Sequence, residues 1–257
     1  MVDDVLIGGQ LNFSLLLSML KYVRHGVKRM YAAIALVSIE IIILTGVFSA
    51  ALFAFIGIAQ MIFKEKKESF DQHAFYFLAN YVSDINTDVM QVFTFLGTHT
   101  FLIPANLALA AWFLFIKKHR WYSIKIPVVA LSSLLLMFCL KFIFHRNRPL
   151  TPLLEEAKGY SFPSGHALMS ITFYGLIIFL VWQNEKNIFF KWILTLSLAL
   201  LIIFIGISRV YLRVHYASDV LAGFCVGLMW LFLSLWILRR IETYSRKKVD
   251  PVLKPES

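Results

Sequence analysis

Long apolar runs separated by short charged clusters set the pattern of this chain. Six stretches reach the roughly 20 largely apolar residues that a bilayer-crossing helix needs: about 31–62, 92–116, 124–144, 165–182, 188–208 and 217–238. The first exceeds what the hydrocarbon requires and is expected to tilt or project beyond it. Residues 5–20, "VLIGGQLNFSLLLSML", are broken by Gly8, Gly9, Gln10 and Asn12 and follow Asp3 and Asp4. An acidic lead does not fit a signal peptide. With Lys21, Arg24, Lys28 and Arg29 behind it, the stretch reads as a helix lying on an anionic leaflet. The pattern predicts an all-α protein, an integral membrane bundle of six transmembrane helices with an N-terminal interfacial helix. Its expected divisions are an interfacial or cytoplasmic segment over 1–30, one membrane domain over 31–240 and a basic cytoplasmic tail over 241–257.

Composition agrees with that reading. The 257 residues are 59% hydrophobic with 24 Phe, and the mean hydropathy is +0.73, beyond the roughly 45–50% apolar content of soluble domains. The net charge of +10 does not indicate nucleic acid, because there is no soluble domain to carry a basic face. The cations instead cluster between spans. Lys21, Arg24, Lys28 and Arg29 precede the first, Lys117, Lys118, Arg120 and Lys125 follow the second, and Arg239, Arg240, Arg246, Lys247 and Lys248 follow the last. The positive-inside rule puts these three groups, and both termini, in the cytoplasm. In 64–91, Lys64, Lys66 and Lys67 are offset by Glu65, Glu68, Asp71, Asp84 and Asp88, so that loop is expected outside. Trp121, Tyr122, Trp182, Trp192 and Trp236 fall near the ends assigned inward, as an aromatic belt would. Cys139 and Cys225 lie within apolar runs and are too few for a zinc site or a disulfide framework.

Three polar stretches interrupt the pattern, and the topology brings all three to the outer side. "KFIFHRNRP" (141–149) closes the third run. A helix continued through it would put Lys141 and Arg148 on one face about 10 Å apart, with Pro149 ending it; snorkelling of two cations to the headgroups is the other reading. "PSGH" (163–166) opens the fourth run. Ser164 is an expected N-cap, Gly165 lets backbone approach an oxyanion, and the first-turn N–H groups suit an anion; ordinary capping beside a structural histidine is the alternative. "SRVYLRVHYASD" (208–219) joins the last two runs. His215 and Asp219, four apart, share a face on which the carboxylate can accept Nδ1–H and leave Nε2 as nucleophile or base. Arg209, six residues earlier, reaches the same spot only if the chain bends between them.

Together these residues describe a site for a phosphoryl group, and their combined spacing resembles the type-2 phosphatidic acid phosphatase superfamily. The resemblance rests on Lys141, Arg148 and Pro149, then Pro163 to His166, then Ser208, Arg209, His215 and Asp219, and spans the last four runs. It implies that His215 attacks phosphorus to form a phosphohistidine, that Asp219 holds its tautomer, and that His166 protonates the leaving oxygen and later activates water. Lys141, Arg148, Ser164, Gly165 and Arg209 are the expected phosphate-binding residues.

No cofactor or metal is expected. Magnesium sites rely on carboxylates, the three stretches offer only Asp219, and Glu155 and Glu156 are adjacent residues of a connecting loop. The expected partners are a lipid phosphate substrate and membrane lipids. Undecaprenyl pyrophosphate, phosphatidylglycerophosphate, phosphatidic acid and the 1-phosphate of lipid A all carry a suitable phosphate. The expected setting is the inner (plasma) membrane with the active site on the periplasmic or extracellular side. A transporter or channel, and a non-catalytic phospholipid binder, are the competing readings. The first predicts polar residues through the bilayer depth, whereas runs four to six are apolar through their middles.

Overall fold

The computed structural model describes residues 3–154 and 158–249; Glu155 and Glu156 lie outside these, as does the end of the basic tail from residue 250. The described chain is helical, with six helices long and apolar enough to span a membrane: Ile41–Lys64, His99–Ile116, Arg120–Phe144, Gly165–Asn184, Ile188–Tyr211 and Ala217–Lys247. The six-span, all-α expectation holds, so the chain is a multi-pass membrane protein. Its elements are α1 (Asp3–Ala59), α2 (Ser69–Ala79), α3 (Asp84–Leu96), α4 (His99–Ala111), α5 (Arg120–Phe144), α6 (Gly165–Asn184), α7 (Ile188–Tyr211) and α8 (Ala217–Tyr244).

Two boundaries differ from the sequence reading. Helix α1 begins at Asp3 and passes Gly8, Gly9 and residue 31 without a break. The run over 92–116 is two helices rather than one. Helix α3 stops at Leu96, Gly97 and Thr98 break the path, and α4 restarts at His99. Gly97 is needed at this break because a Cβ there would lie 2.6 Å from the Ile205 side chain and 3.1 Å from the His166 ring. The loop over 64–91 is likewise not irregular: it holds α2 and most of α3, the latter capped by Ser83, whose hydroxyl accepts the Asn86 N–H.

The chain falls into two units, one ending at Val47 and the other starting at Phe48. In the first, the helix surface from Leu16 to Tyr31 is exposed. In the second, α6 lies at the centre, with Ala167, Leu168, Phe173, Leu176 and Leu180 buried. Its closest neighbour is α8, through Gly223 and Gly227, spaced as in the small-residue packing motif of membrane helices. A Cβ at 223 would stand 2.6 Å from the Ser164 carbonyl, and one at 227 would stand 2.8 Å from that of Leu168. The Ser164 N–H donates to the Asp219 carbonyl at 3.0 Å, so the starts of α6 and α8 are joined backbone to backbone. At the far ends of α5 and α8, Lys125 pairs with Glu242 at 2.6 Å and Arg246 with Glu242 at 2.7 Å. That cluster lies a full helix length from Lys141 and Asp219, so α5 and α8 run antiparallel across the bundle.

Candidate active site

The three polar stretches meet at one end of the bundle, and each is delivered by a specific local break. Helix α5 ends at Phe144, one turn earlier than a continuous Lys141–Arg148 face requires, because His145 turns left-handed (φ 47°) while its N–H closes on the Lys141 carbonyl. Arg148 is therefore carried by a non-helical segment. Its guanidinium donates to the Gly159 carbonyl at 2.9 Å through Nε, to the Val214 carbonyl at 2.7 Å through Nη1, and to the Lys158 carbonyl at 3.2 Å through Nη2. Lys141 donates to the Tyr160 carbonyl. Arg209, 8% exposed near the end of α7, donates to the Thr94 hydroxyl at 2.6 Å. Neutral oxygens hold all three cations, and among the described residues no carboxylate lies within ion-pairing distance of them.

The bend expected between Arg209 and His215 is present. Helix α7 ends at Tyr211, Arg213 turns left-handed (φ 53°), and the His215 N–H returns to the Arg209 carbonyl at 3.2 Å. His215 is not on α8 but in the turn before it, 2% exposed. Arg148 Nη1 stands 3.2 Å from His215 Nε2. Since a guanidinium can only donate, Nε2 carries a lone pair and the imidazole proton resides on Nδ1.

The direct reach of that proton to Asp219 is long, with His215 Nδ1 and Asp219 Oδ2 3.5 Å apart. Ser161, fully buried, lies between them: its Oγ is 3.2 Å from Nδ1, and its hydroxyl donates to Oδ2. Burial pushes the His215 imidazole down to about 3, against the opposing pull of the Asp219 carboxylate. Burial thus favours the neutral ring, the state that the expected role of nucleophile requires. Burial likewise lowers Arg148, with the Asp219 charge opposing.

Ser164 occupies the N-cap position of α6 but does not cap it; its Oγ is buried without a partner among the described residues. The helix start is held instead by main-chain bonds, Ser164 N–H to Asp219 and Leu168 N–H to the Ser164 carbonyl, so the hydroxyl is not engaged. Two further buried side-chain atoms lack partners among the described residues, His166 Nε2 and Arg209 Nε. Buried polar groups are rarely left unpaired, and here all three belong to residues expected to bind or act on phosphate. Gly165 has a packing reason as well as an electrostatic one, since a Cβ there would lie 2.5 Å from the Met137 sulfur.

Sequence reasoning missed four residues. Arg146 donates to Asp219 Oδ1 at 2.6 Å and to Asp71 Oδ2 at 2.8 Å, and its guanidinium lies 4.0 Å from the Tyr216 ring centre. Burial disfavours its charge, but the two carboxylates raise it above its ordinary value. Asp71, Ser161 and Ser218 complete this buried set. One signal was present: Asp71, Ala74, Phe75 and Leu78 form a helical stripe, and the last three pack on the core, so the acid stands on a buried face.

Lys141, Arg148, His166, Arg209 and His215 line one end of a cavity of about 750 Å³. Apart from His99 and Asn106 the remainder is apolar, running between α4 and α5 past Leu102, Leu107, Leu134 and Leu131 to Pro127. From Lys141 to Pro127 it follows roughly 21 Å of helix. Leu107, Leu131 and Phe138 on its walls are each more than half exposed, and they lie within membrane spans, so the groove opens sideways to lipid.

Uncompensated cations, a neutral buried imidazole and a lipid-facing groove define an integral membrane phosphohydrolase. Comparison with known proteins gives the same class. Residues 122–242 match the model of the PAP2 superfamily. Phosphatidylglycerophosphatase B of Bacillus subtilis (strain 168) is 33% identical over 165 residues, covering 62% of this chain and 79% of that one. Undecaprenyl-diphosphatase of Sulfolobus acidocaldarius is 32% identical over 154 residues, covering 58% and 69%. The crystal structure of a transmembrane PAP2 type phosphatidylglycerolphosphate phosphatase from Bacillus subtilis superposes with a TM-score of 0.70 at 27% identity, covering 76% of this chain and 96% of that one. The chain belongs to the PAP2 superfamily, and it is a membrane lipid phosphatase.

Proposed function

We propose that this enzyme removes the terminal phosphate of a lipid mono- or diphosphate through a phosphohistidine on His215, without a metal ion. The observation that carries the reading is the junction of two chemistries in one cavity: an apolar groove sized for a hydrocarbon chain ends at Lys141, Arg148, Arg209, His166 and His215. The lipid tail lies between α4 and α5, and its phosphate meets the cations and the start of α6. His215 Nε2 attacks phosphorus while the bond to the leaving oxygen breaks and His166 gives that oxygen its proton. Water then attacks the phosphohistidine, His166 takes the water's proton, and inorganic phosphate leaves with His215 restored.

Lys141, Arg148 and Arg209, with the unpartnered Ser164 hydroxyl and the Gly165 backbone, stabilise the equatorial oxygens, a contribution of about 3–4 kcal/mol per well-placed donor. Asp219 acts through His215. The same cations supply the neutralisation that a metal gives elsewhere. The relatives' names point to phosphatidylglycerophosphate and undecaprenyl diphosphate as first substrates to examine.

Charge distribution supports the inner (plasma) membrane, with residues 1–30 on the cytoplasmic face, the basic tail from 241 inside, and the active site on the periplasmic or extracellular side.

The test is phosphate release by the purified protein from a panel of lipid mono- and diphosphates in mixed micelles, with and without chelator. Release insensitive to chelator is expected, with a labelled phosphoenzyme that disappears in His215→Ala. Loss of activity in chelator with recovery in Mg²⁺, or a phosphoenzyme persisting in His215→Ala, overturns the mechanism. A transporter would release no phosphate.

A further inference from the structure

The three-part signature leaves out the loop between the first two spans, yet this loop reaches the centre of the site. Asp71, in the first turn of α2, is 2% exposed. Its Oδ1 accepts the Ser218 N–H at 2.8 Å, and its Oδ2 accepts the Ser218 hydroxyl at 2.7 Å and Arg146 Nη2 at 2.8 Å. Ser218 is the second residue of α8, so its N–H is one of the first-turn donors that a helix cannot satisfy internally. Asp71 therefore caps α8 from another element.

The second link is charge. Arg146 is forked between two carboxylates, Nη2 on Asp71 and Nη1 on Asp219 Oδ1, with Nη1 also 2.8 Å from the Ser218 hydroxyl. Asp219 is thereby divided: Oδ1 belongs to Arg146, while Oδ2 receives the Ser161 hydroxyl and, at 3.0 Å, the Tyr216 N–H, and faces His215 Nδ1. Without Asp71, one arm of Arg146 loses its acceptor and is free to turn onto Asp219, and the start of α8 loses its cap. Both changes act on the carboxylate that orients the nucleophile.

We propose that Asp71 is a positioning residue for phosphoryl transfer, seating Arg146 and the start of α8 so that Asp219 keeps Oδ2 toward Ser161 and His215. The inference rests on His215 being the nucleophile. Asp71 does not line the cavity, so it acts on the chemical step and not on lipid binding. It makes α2 part of the catalytic apparatus.

The experiment compares the unaltered full-length protein, Asp71→Asn and Asp71→Glu on phosphatidylglycerophosphate in mixed micelles. It uses the gel-filtration monodisperse fraction and measures kcat, KM and single-turnover phosphoenzyme formation. Asp71→Asn is expected to lower kcat and the phosphoenzyme rate together by about tenfold or more, the scale on which small misplacements act. KM should stay within twofold, and Asp71→Glu should restore part of kcat. A merely structural role lowers the folded yield and leaves kcat of the folded fraction unchanged; that result, or a rise in KM alone, overturns the proposal. If Asp71→Asn yields no folded protein, Ser218→Ala removes one arm of the same set, and an unchanged kcat there overturns it equally. Failure of the unaltered protein to release phosphate from any lipid of the panel defeats the phosphatase reading and this inference with it; normal release with an indifferent Asp71 defeats this inference alone.

Discussion

Removing one hydroxyl, in Ser161→Ala, tests how His215 and Asp219 communicate. In the structure Ser161 Oγ is 3.2 Å from His215 Nδ1 and donates to Asp219, whereas the two end groups are 3.5 Å apart. Without Oγ, the Nδ1 proton is left with only the long 3.5 Å reach to Asp219 Oδ2. The loss is felt most in the transition state, because the ring gains positive charge as Nε2 bonds to phosphorus, and an interaction that strengthens there governs kcat. A hydrogen bond involving a charged group contributes about 1.5–3 kcal/mol, which translates into a fall in kcat of roughly 10- to 150-fold. KM should hold, since Ser161 is fully buried and does not line the cavity. The assay is steady-state phosphate release in mixed micelles, read as kcat and KM separately, beside the rate of phosphoenzyme appearance. A kcat within twofold of the unaltered enzyme would mean that histidine and carboxylate close the gap themselves, and would refute the relay through Ser161.

Three further outcomes follow from the geometry. His215 is held at about 3 by burial and must be neutral to attack, so kcat/KM should not be lost through titration of this ring until pH falls through about 3; a His215 imidazole that titrates near 6.5 by NMR contradicts this. Gly223→Val would drive a Cβ to 2.6 Å from the Ser164 carbonyl, and detergent thermal unfolding should show a loss of about 1–3 kcal/mol, the usual range for overpacking. Ala130→Trp should block the groove toward its Pro127 end, raising KM for long-chain lipid phosphates about tenfold, as expected when about 55 Å² of apolar contact is displaced. Hydrolysis of a soluble short-chain phosphate should be unaffected; an equal effect on both would place the hydrocarbon elsewhere.

The spans were legible because a bilayer imposes a length and a polarity that no loop imitates. The polar residues that the structure gathers at one end of the cavity were legible as a group because they stand next to apolar runs where charge needs a reason. Ser161, Arg146, Asp71 and Ser218 were not, since their roles exist only across gaps of 54 to 147 residues. Local patterns also misled where the backbone departs from regularity. His145 ends α5 early, which removed the supposed Lys141–Arg148 face. Gly97 and Thr98 divide an apolar run that reads as one helix. Ser164 has the identity and position of a cap, but its hydroxyl is turned from that task. Asp71 was counted among the acids balancing an outer loop, and only the stripe it shares with Ala74, Phe75 and Leu78 marks it as buried.

The sideways opening between α4 and α5 also sets the units in which this enzyme measures its substrate. Molecules that enter through the side walls arrive by two-dimensional diffusion within a leaflet, so the quantity that fills the site is mole fraction in the surrounding film, not molarity in the bulk. Every neighbouring phospholipid is then a diluent and a weak competitor for the same slot. Adding inert phosphatidylcholine at constant total substrate should slow turnover in proportion to the dilution, and membrane composition becomes a control on rate that needs no regulatory site.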